Sequence, residues 1–160
     1  SAGLGEGSTF TIRLATVEEP SRASRRAKPP GRPRDGKSLR VLLVEDHADT
    51  AQAIARMLEN SGYRVGMAAD VASALKRLGS ETWDVMVSDL GLPDASGYEL
   101  MKEVRQRYGL SVRGIAVSGY GMEADRQRSQ QAGFDEHMVK PIDMEQLEVA
   151  IRKIGAQGTE

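Results

Sequence analysis

The sequence predicts an α/β protein: a doubly wound parallel sheet of five strands, covered by five helices. Two observations predict it. From Leu39 onward, short apolar runs rich in branched residues alternate five times with segments whose apolar residues recur at helical spacing. The strand runs are apolar on both sides of the chain, as strands buried on both faces of a parallel sheet must be. Right-handed crossovers then place helices on both faces. Spacing alone does not give the strand order.

In chain order, Leu39 to Val44 is the first strand and runs into Glu45-Asp46. Ala51, Ile54, Ala55 and Leu58 share one helix face, and Asn60-Ser61-Gly62 stops that helix. Arg64–Ala68 is the second strand. Asp70 can cap a helix that carries Val71, Ala74, Leu75 and Leu78 inward. Trp83–Ser88 is the third strand; it delivers Asp89 to its carboxyl end, where the loop G-L-P-D-A-S-G begins. Ser96 and Glu99 form a capping-box signature ahead of Leu100, Met101 and Val104. Arg113–Val117 is the fourth strand. Residues 122–132 are helical in composition but polar, with little to pack. Glu136–Val139 is the fifth strand. Asp143 can cap a last helix with Leu147, Ala150, Ile151 and Ile154 inward, and the tail from Gly155 is expected to fray.

Two segments precede this unit. In residues 1–14, a glycine cluster leads to an alternation in which Phe10, Ile12 and Leu14 oppose Thr9, Thr11 and Arg13, the pattern of a half-buried strand. A lone strand has nothing to cover its face, so it reads as the end of something larger. Residues 15–38 hold four prolines and seven Lys/Arg against three Asp/Glu, without periodicity. They read as an extended basic linker. No aromatic residue is interleaved there for base stacking, so no nucleic-acid partner is expected.

The bulk properties exclude several chemistries. Apolar residues make up 39% of the chain and charged residues 28%, as in a globular protein, and a net charge of −1 gives no overall pull toward nucleic acid or membrane. Cysteine is absent, which removes disulfides, thiolate nucleophiles and Cys-based metal sites. No apolar run approaches the ~20 residues that span a bilayer. His47 and His137 are the only histidines, and neither has a second nitrogen or sulfur ligand at metal-binding spacing. A cytoplasmic setting without membrane contact by this segment is the expectation.

Four strand ends carry chemistry to one edge of the sheet, where open α/β sheets bind ligands. The first brings Glu45 and Asp46, the third Asp89, the fourth Ser118-Gly119 and the fifth Lys140-Pro141. Clustered carboxylates repel and call for a cation, and hard oxygen ligands favour Mg²⁺. A carboxylate so held can attack phosphorus and become an acyl phosphate. Lys140 can neutralise one phosphoryl oxygen as a point charge, and Ser118 can donate to another.

These motifs, L-L-V-E-D-H at 42–47, V-S-D-L-G-L-P-D at 87–94, V-S-G at 117–119 and V-K-P at 139–141, make residues 39–154 resemble a response-regulator receiver domain of the two-component systems. The resemblance implies a flavodoxin-like fold with strand order 2-1-3-4-5. It implies that Asp89 is the phosphoacceptor and that Asp46 and Asp89 bind Mg²⁺ directly. Glu45 would act through water, and the backbone carbonyl of Gly91 would complete the protein ligands. Ser118 would be the switch hydroxyl and Lys140 the phosphate-contacting lysine. The departures are Ser118, where Thr is common, and His137, where many members carry Tyr or Phe; the second puts an aromatic rotamer switch in question. Tyr120, two residues after Ser118, is expected to hinder water and lengthen the phosphoryl lifetime.

The segment G-L-G-E-G-S-T-F-T-I-R-L at 3–14 resembles the last glycine box and final strand of a histidine-kinase ATPase domain. The resulting division is an ATPase remnant at 1–14, a linker at 15–38, a receiver at 39–156 and a tail at 157–160. That order is the order of a hybrid sensor histidine kinase, of which this would be the C-terminal piece. The implied partners are a phosphohistidine-bearing kinase domain or a histidine phosphotransfer protein. This piece lacks the rest of an ATP site and is not expected to act as a kinase alone. Two rival readings exist. An aspartyl-phosphate-forming phosphatase would commonly carry a second Asp two residues after the nucleophile, where Gly91 stands. A degenerate receiver that only binds a partner would not need the intact carboxylates and lysine.

Overall fold

The computed structural model describes residues 38–119, 121 and 123–156. The expected strand within 1–14, the linker, Tyr120 and the tail 157–160 fall outside these, apart from Ser38. Ten elements alternate: β1 (Arg40–Val44), α1 (Ala48–Asn60), β2 (Arg64–Ala68), α2 (Val71–Ser80), β3 (Val85–Asp89), α3 (Gly97–Tyr108), β4 (Arg113–Ser118), α4 (Glu123–Ala132), β5 (Glu136–Val139) and α5 (Met144–Gly155). All neighbouring strands are parallel, and the order is β2-β1-β3-β4-β5. The chain thus reverses direction across the sheet between β1 and β3, the arrangement that opens a crevice at the carboxyl ends of these strands.

Alternation along each strand divides the core in two. Val41, Leu43, Val85, Val87, Ile115 and Val117 face α1 and α5, where Ile54, Leu58, Leu147 and Ile151 meet them. Leu42, Val44, Met86 and Ala116 face the other way, against Ala74 and Leu78 of α2 and Leu100, Met101 and Val104 of α3. Truncating one of the large, fully buried side chains to Ala removes contacts worth roughly 2–5 kcal/mol. Helix α4 is different. Only Ser129 and Ala132 of its residues are buried, as its polar sequence leads one to expect.

Local signals act where the residues place them. Asp70 accepts from the amide of Ser73 at 2.6 Å and Ser73 answers to the amide of Asp70, a complete capping box. Ser96 and Glu99 do the same for α3. Asp143 caps α5 through the amides of Glu145 and Gln146. Each such cap contributes about 1 kcal/mol. Gly62 ends α1 with φ of 94°, a backbone state that costs a side-chain-bearing residue energy. One expectation fails. α5 does not fray at Gly155, because Leu39 packs over that glycine and Gly155 is buried. A Cβ there would meet the Leu39 side chain at 2.7 Å.

Candidate functional site

The site lies at the carboxyl ends of β1, β3, β4 and β5. β1 ends at Val44, and the next residue, Glu45, remains tied to β2 by its amide bond to the Ala68 carbonyl, at 3.0 Å. That bond keeps the Glu45 side chain inside, 4% exposed, while Asp46 and His47 turn outward. Neither carboxylate caps α1. The N-cap is His47, without a side-chain cap bond. At the helix start, Glu45 only accepts the His47 backbone amide, at 3.3 Å.

Asp89 is the last residue of β3. The β3–α3 loop is fastened around it from three sides. The amide of Leu90 continues the ladder to Val117, at 3.0 Å, and Gly91 forms an antiparallel bridge with Ser96. The amide of Gly91 donates to Asp89 Oδ1 at 2.9 Å. Gly97 sits so close beneath that a Cβ would come within 2.4 Å of the Asp89 carbonyl oxygen, so the first residue of α3 has to lack a side chain. Asp94 holds the far side of the loop by accepting from the amides of Val71 at 2.9 Å and Ala72 at 3.0 Å, at the start of α2. The amide of Val71 first, with that of Ala72, holds the Asp94 carboxyl below its ordinary value against the opposing effect of burial.

Lys140 closes the set. Its Nζ lies 2.5 Å from Asp89 Oδ2 and 2.9 Å from Glu45 Oε2. Burial disfavours its charge, but the hydrogen bonds to Asp89 and Glu45 outweigh that and hold the ammonium above its ordinary pKa. Its backbone amide donates to the Ser118 carbonyl at 2.8 Å, which places the Lys140 and Ser118 strand ends side by side. Lys140 and Pro141 are joined by a cis peptide bond. Ser118 is buried, and its Oγ lies 3.3 Å from His137 Nε2.

The structure joins Glu45 and Asp89 through Lys140 and sets Asp46 beside Glu45; Ser118 adjoins Lys140 through its backbone, with its hydroxyl toward His137. The closest carboxylate group is Glu45 and Asp46 with His47, whose ligating atoms all lie within 4.8 Å of one another. His47 Nδ1 is 2.8 Å from Asp46 Oδ1 and 3.1 Å from Glu45 Oε1. Hydrogen bonding to Glu45, then to Asp46, and the charge of both push the imidazole above its ordinary pKa. Burial alone would raise the Asp46 carboxyl; the hydrogen bond and charge of His47 prevail and lower it. Asp89 joins the pair through Lys140, and Gly91 stands beside Asp89 through its amide. Glu45, Asp46 and His47 form a group that could hold a metal ion, and the carboxylate oxygens suit a hard divalent cation. Asp94, Gly97, and the pairing of His47 with its two neighbours escape a reading of motifs. For His47 the signal was present in its adjacency to Glu45-Asp46; Asp94 ends the motif at 87–94, but its role as a tie was not legible because its partners lie on another helix.

Residues 41–152 match the family described as the response regulator receiver domain. The chain belongs to that family. Over 111 residues it is 30% identical to the sensor histidine kinase RcsC of Escherichia coli, covering 69% of this chain and 12% of that protein. It is 30% identical over 167 residues to the virulence sensor protein BvgS of Bordetella bronchiseptica, covering 97% of this chain and 13% of BvgS. The chain therefore spans about an eighth of the length of those two relatives. A CheY-like receiver domain protein from Methanospirillum hungatei superposes with a TM-score of 0.71 at 26% identity, covering 76% of this chain and 97% of that one. Among the described residues, no helix is long and apolar enough to cross a membrane.

Proposed function

We propose that this receiver domain accepts a phosphoryl group from a phosphohistidine onto Asp89, with Mg²⁺ held by Asp46 and Asp89, by Glu45 through water, and by the Gly91 carbonyl. An Asp89 carboxylate oxygen attacks phosphorus, the P–N bond breaks, and the departing imidazole takes a proton from solvent. Bound Mg²⁺ supplies positive charge against the carboxylates and the oxygens of the transferring group. Lys140 neutralises a phosphoryl oxygen, and Ser118 donates its hydroxyl proton to another. The observation that carries this reading is the Lys140 ammonium bridging Glu45 and Asp89 at the sheet's edge, with Asp46 beside them.

The proposal extends to the parent protein. Residues 1–14, by the glycine-box motif at 3–14, are the end of an ATPase domain and 15–38 a linker; the alignment with BvgS extends over 97% of this chain. Residues 39–156 are then the receiver and 157–160 its tail, all part of a hybrid histidine kinase working in the cytoplasm. The donor or onward acceptor is a phosphohistidine-bearing kinase domain or a histidine phosphotransfer protein. An apolar groove lined by Ala53, Ile54 and Met57 of α1 and by Pro141, Ile142 and Met144 opens beside Lys140 and suits a partner helix.

Intact-mass measurement of the full chain with acetyl phosphate and Mg²⁺ tests the core of the proposal. One phosphoryl group is expected on the native chain and none on Asp89→Asn. Equal labelling of both, or labelling unaffected by chelating the metal, refutes it.

A further inference from the structure

Two loops of the site are fastened to one place, the junction of β2 and α2. Glu45 is held there by its amide bond to the Ala68 carbonyl, at 3.0 Å. The β3–α3 loop is held there by Asp94. One carboxylate oxygen of Asp94 accepts from the amide of Val71 at 2.9 Å and from that of Ala95 at 3.0 Å; the other accepts from Ala72 at 3.0 Å. Val71 and Ala72 open α2, and the first amides of a helix have no carbonyl within it to reach. The cap residue Asp70 takes the amide of Ser73, and Asp94 takes the two before it. The positive end of the helix dipole also favours a carboxylate at this place. Asp94 follows Gly91 by three residues. Between and beside them, Leu92 and Ala95 pack on the core that α2 and α3 cover. Apolar contact is non-directional, whereas the bonds of Asp94 are directional and set where the loop tip lies along α2.

We propose that Asp94 is a positioning residue for the metal: by fastening the loop tip to the start of α2, it fixes the Gly91 backbone relative to Glu45. This role rests on the reading above, in which the Gly91 carbonyl and Glu45 belong to one ligand set. Asp94 itself touches neither metal nor phosphoryl group. It acts through the backbone of four residues, Gly91 to Asp94, and through the β2–α2 junction that both loops share. Mg²⁺ demands near-ideal octahedral geometry, so a carbonyl that drifts with its loop is a poorer ligand. Groups that orient a ligand from outside the ligand set cost about tenfold or more in metal affinity when removed.

The test uses the full chain labelled with ¹⁵N. The resonance of the Gly91 amide, which donates to Asp89, is followed as Mg²⁺ is added. Asp94→Ala should raise the Mg²⁺ dissociation constant by about tenfold. In the metal-free chain it should speed exchange of the Val71 and Ala72 amides by about 3–10-fold, as loss of a hydrogen bond implies. Asp94→Asn keeps one acceptor oxygen and should fall between native and Asp94→Ala; it serves in place of Asp94→Ala where that chain does not fold. Val71→Pro removes one donor at the first helical position, where proline is tolerated after the extended Asp70. It should weaken Mg²⁺ binding, and combined with Asp94→Ala it should add nothing, because both cut the same tie. Ser73→Ala loosens the same helix end without touching the loop and should leave the constant unchanged. An unchanged constant in Asp94→Ala, an equal rise in Ser73→Ala, or additive effects in the double variant overturns the positioning role. Intact mass after acetyl phosphate and Mg²⁺ separates the two levels of failure. Metal-dependent labelling of Asp89 with an unchanged constant in Asp94→Ala overturns the positioning role alone. A native chain that neither binds Mg²⁺ nor becomes labelled overturns the functional reading and the role with it.

Discussion

The two ends of the sheet use the same residue types to opposite effect. At the amino end, Asp135 receives Arg105 at 2.9 Å, Arg113 at 2.9 Å and the amide of Gly114 at 2.8 Å. Arg105 directs its other donors to the carbonyls of Gly133, Gly109 and Val112. Two cations and an amide converge on one carboxylate. At the carboxyl end the proportion is reversed: Glu45, Asp46 and Asp89 share Lys140 and the exposed His47. The first arrangement saturates its carboxylate with donors, and it locks β4, β5 and α3 together. The second has more carboxylates than cations, and that excess of negative charge suits it to a cation. A protein tolerates such local imbalance at a site of function when the rest of the fold supports it.

Substitutions at the two ends should separate accordingly. The largest effect is expected for Asp135→Ala, which removes the carboxylate shared by two largely buried guanidinium groups. Urea denaturation should show a loss of about 3 kcal/mol, with labelling of Asp89 retained under conditions where the variant is folded. A loss below about 1 kcal/mol would mean that the amino end is no better matched than the site. Next comes the metal. Mg²⁺ at ten times its dissociation constant should stabilise the native chain by about 1.4 kcal/mol and leave the Asp46→Asn chain nearly unmoved at the same concentration. In the absence of metal, Asp46→Asn should lose no more than about 0.5 kcal/mol, because the pairing with His47 that lowers the Asp46 carboxyl is solvent-screened. A large destabilisation there would make Asp46 a structural residue.

The smallest effect concerns acid. The Asp94 carboxyl is depressed below its unfolded value, so its contribution is present above the unfolded pKa of about 3.9 and disappears as pH falls through the lower folded value. Native and Asp94→Asn chains should therefore differ in thermal midpoint by a constant amount from neutral pH to about 5. They should converge in the acid range below about 3.9. A difference that grows on acidification would contradict the assigned direction.

The amino acids themselves announce a good deal of this molecule. Val41–Val44 can only be buried, Asp70, Ser96 and Asp143 declare helix starts, and Asp89 ahead of a Gly/Pro loop marks a strand end. These are local signals, read within one turn or one strand of the residue concerned. Periodicity reaches no further, so the strand order came from resemblance and not from spacing. The fraying expected at Gly155 failed for the same reason, since Leu39, which covers it, lies over a hundred residues away.

What the chain determined alone is therefore its list of elements and the chemical types waiting at their ends. Tertiary structure decided who meets whom: Lys140 with Glu45 and Asp89, 95 and 51 residues apart, Asp94 with the start of α2, Arg105 with Asp135, and Ser118 with Ser129 through His137. The physical reason is range. A cap or an apolar period acts over a few residues of backbone, whereas an ion pair or a hydrogen bond between side chains forms only after the sheet has set the strands in order.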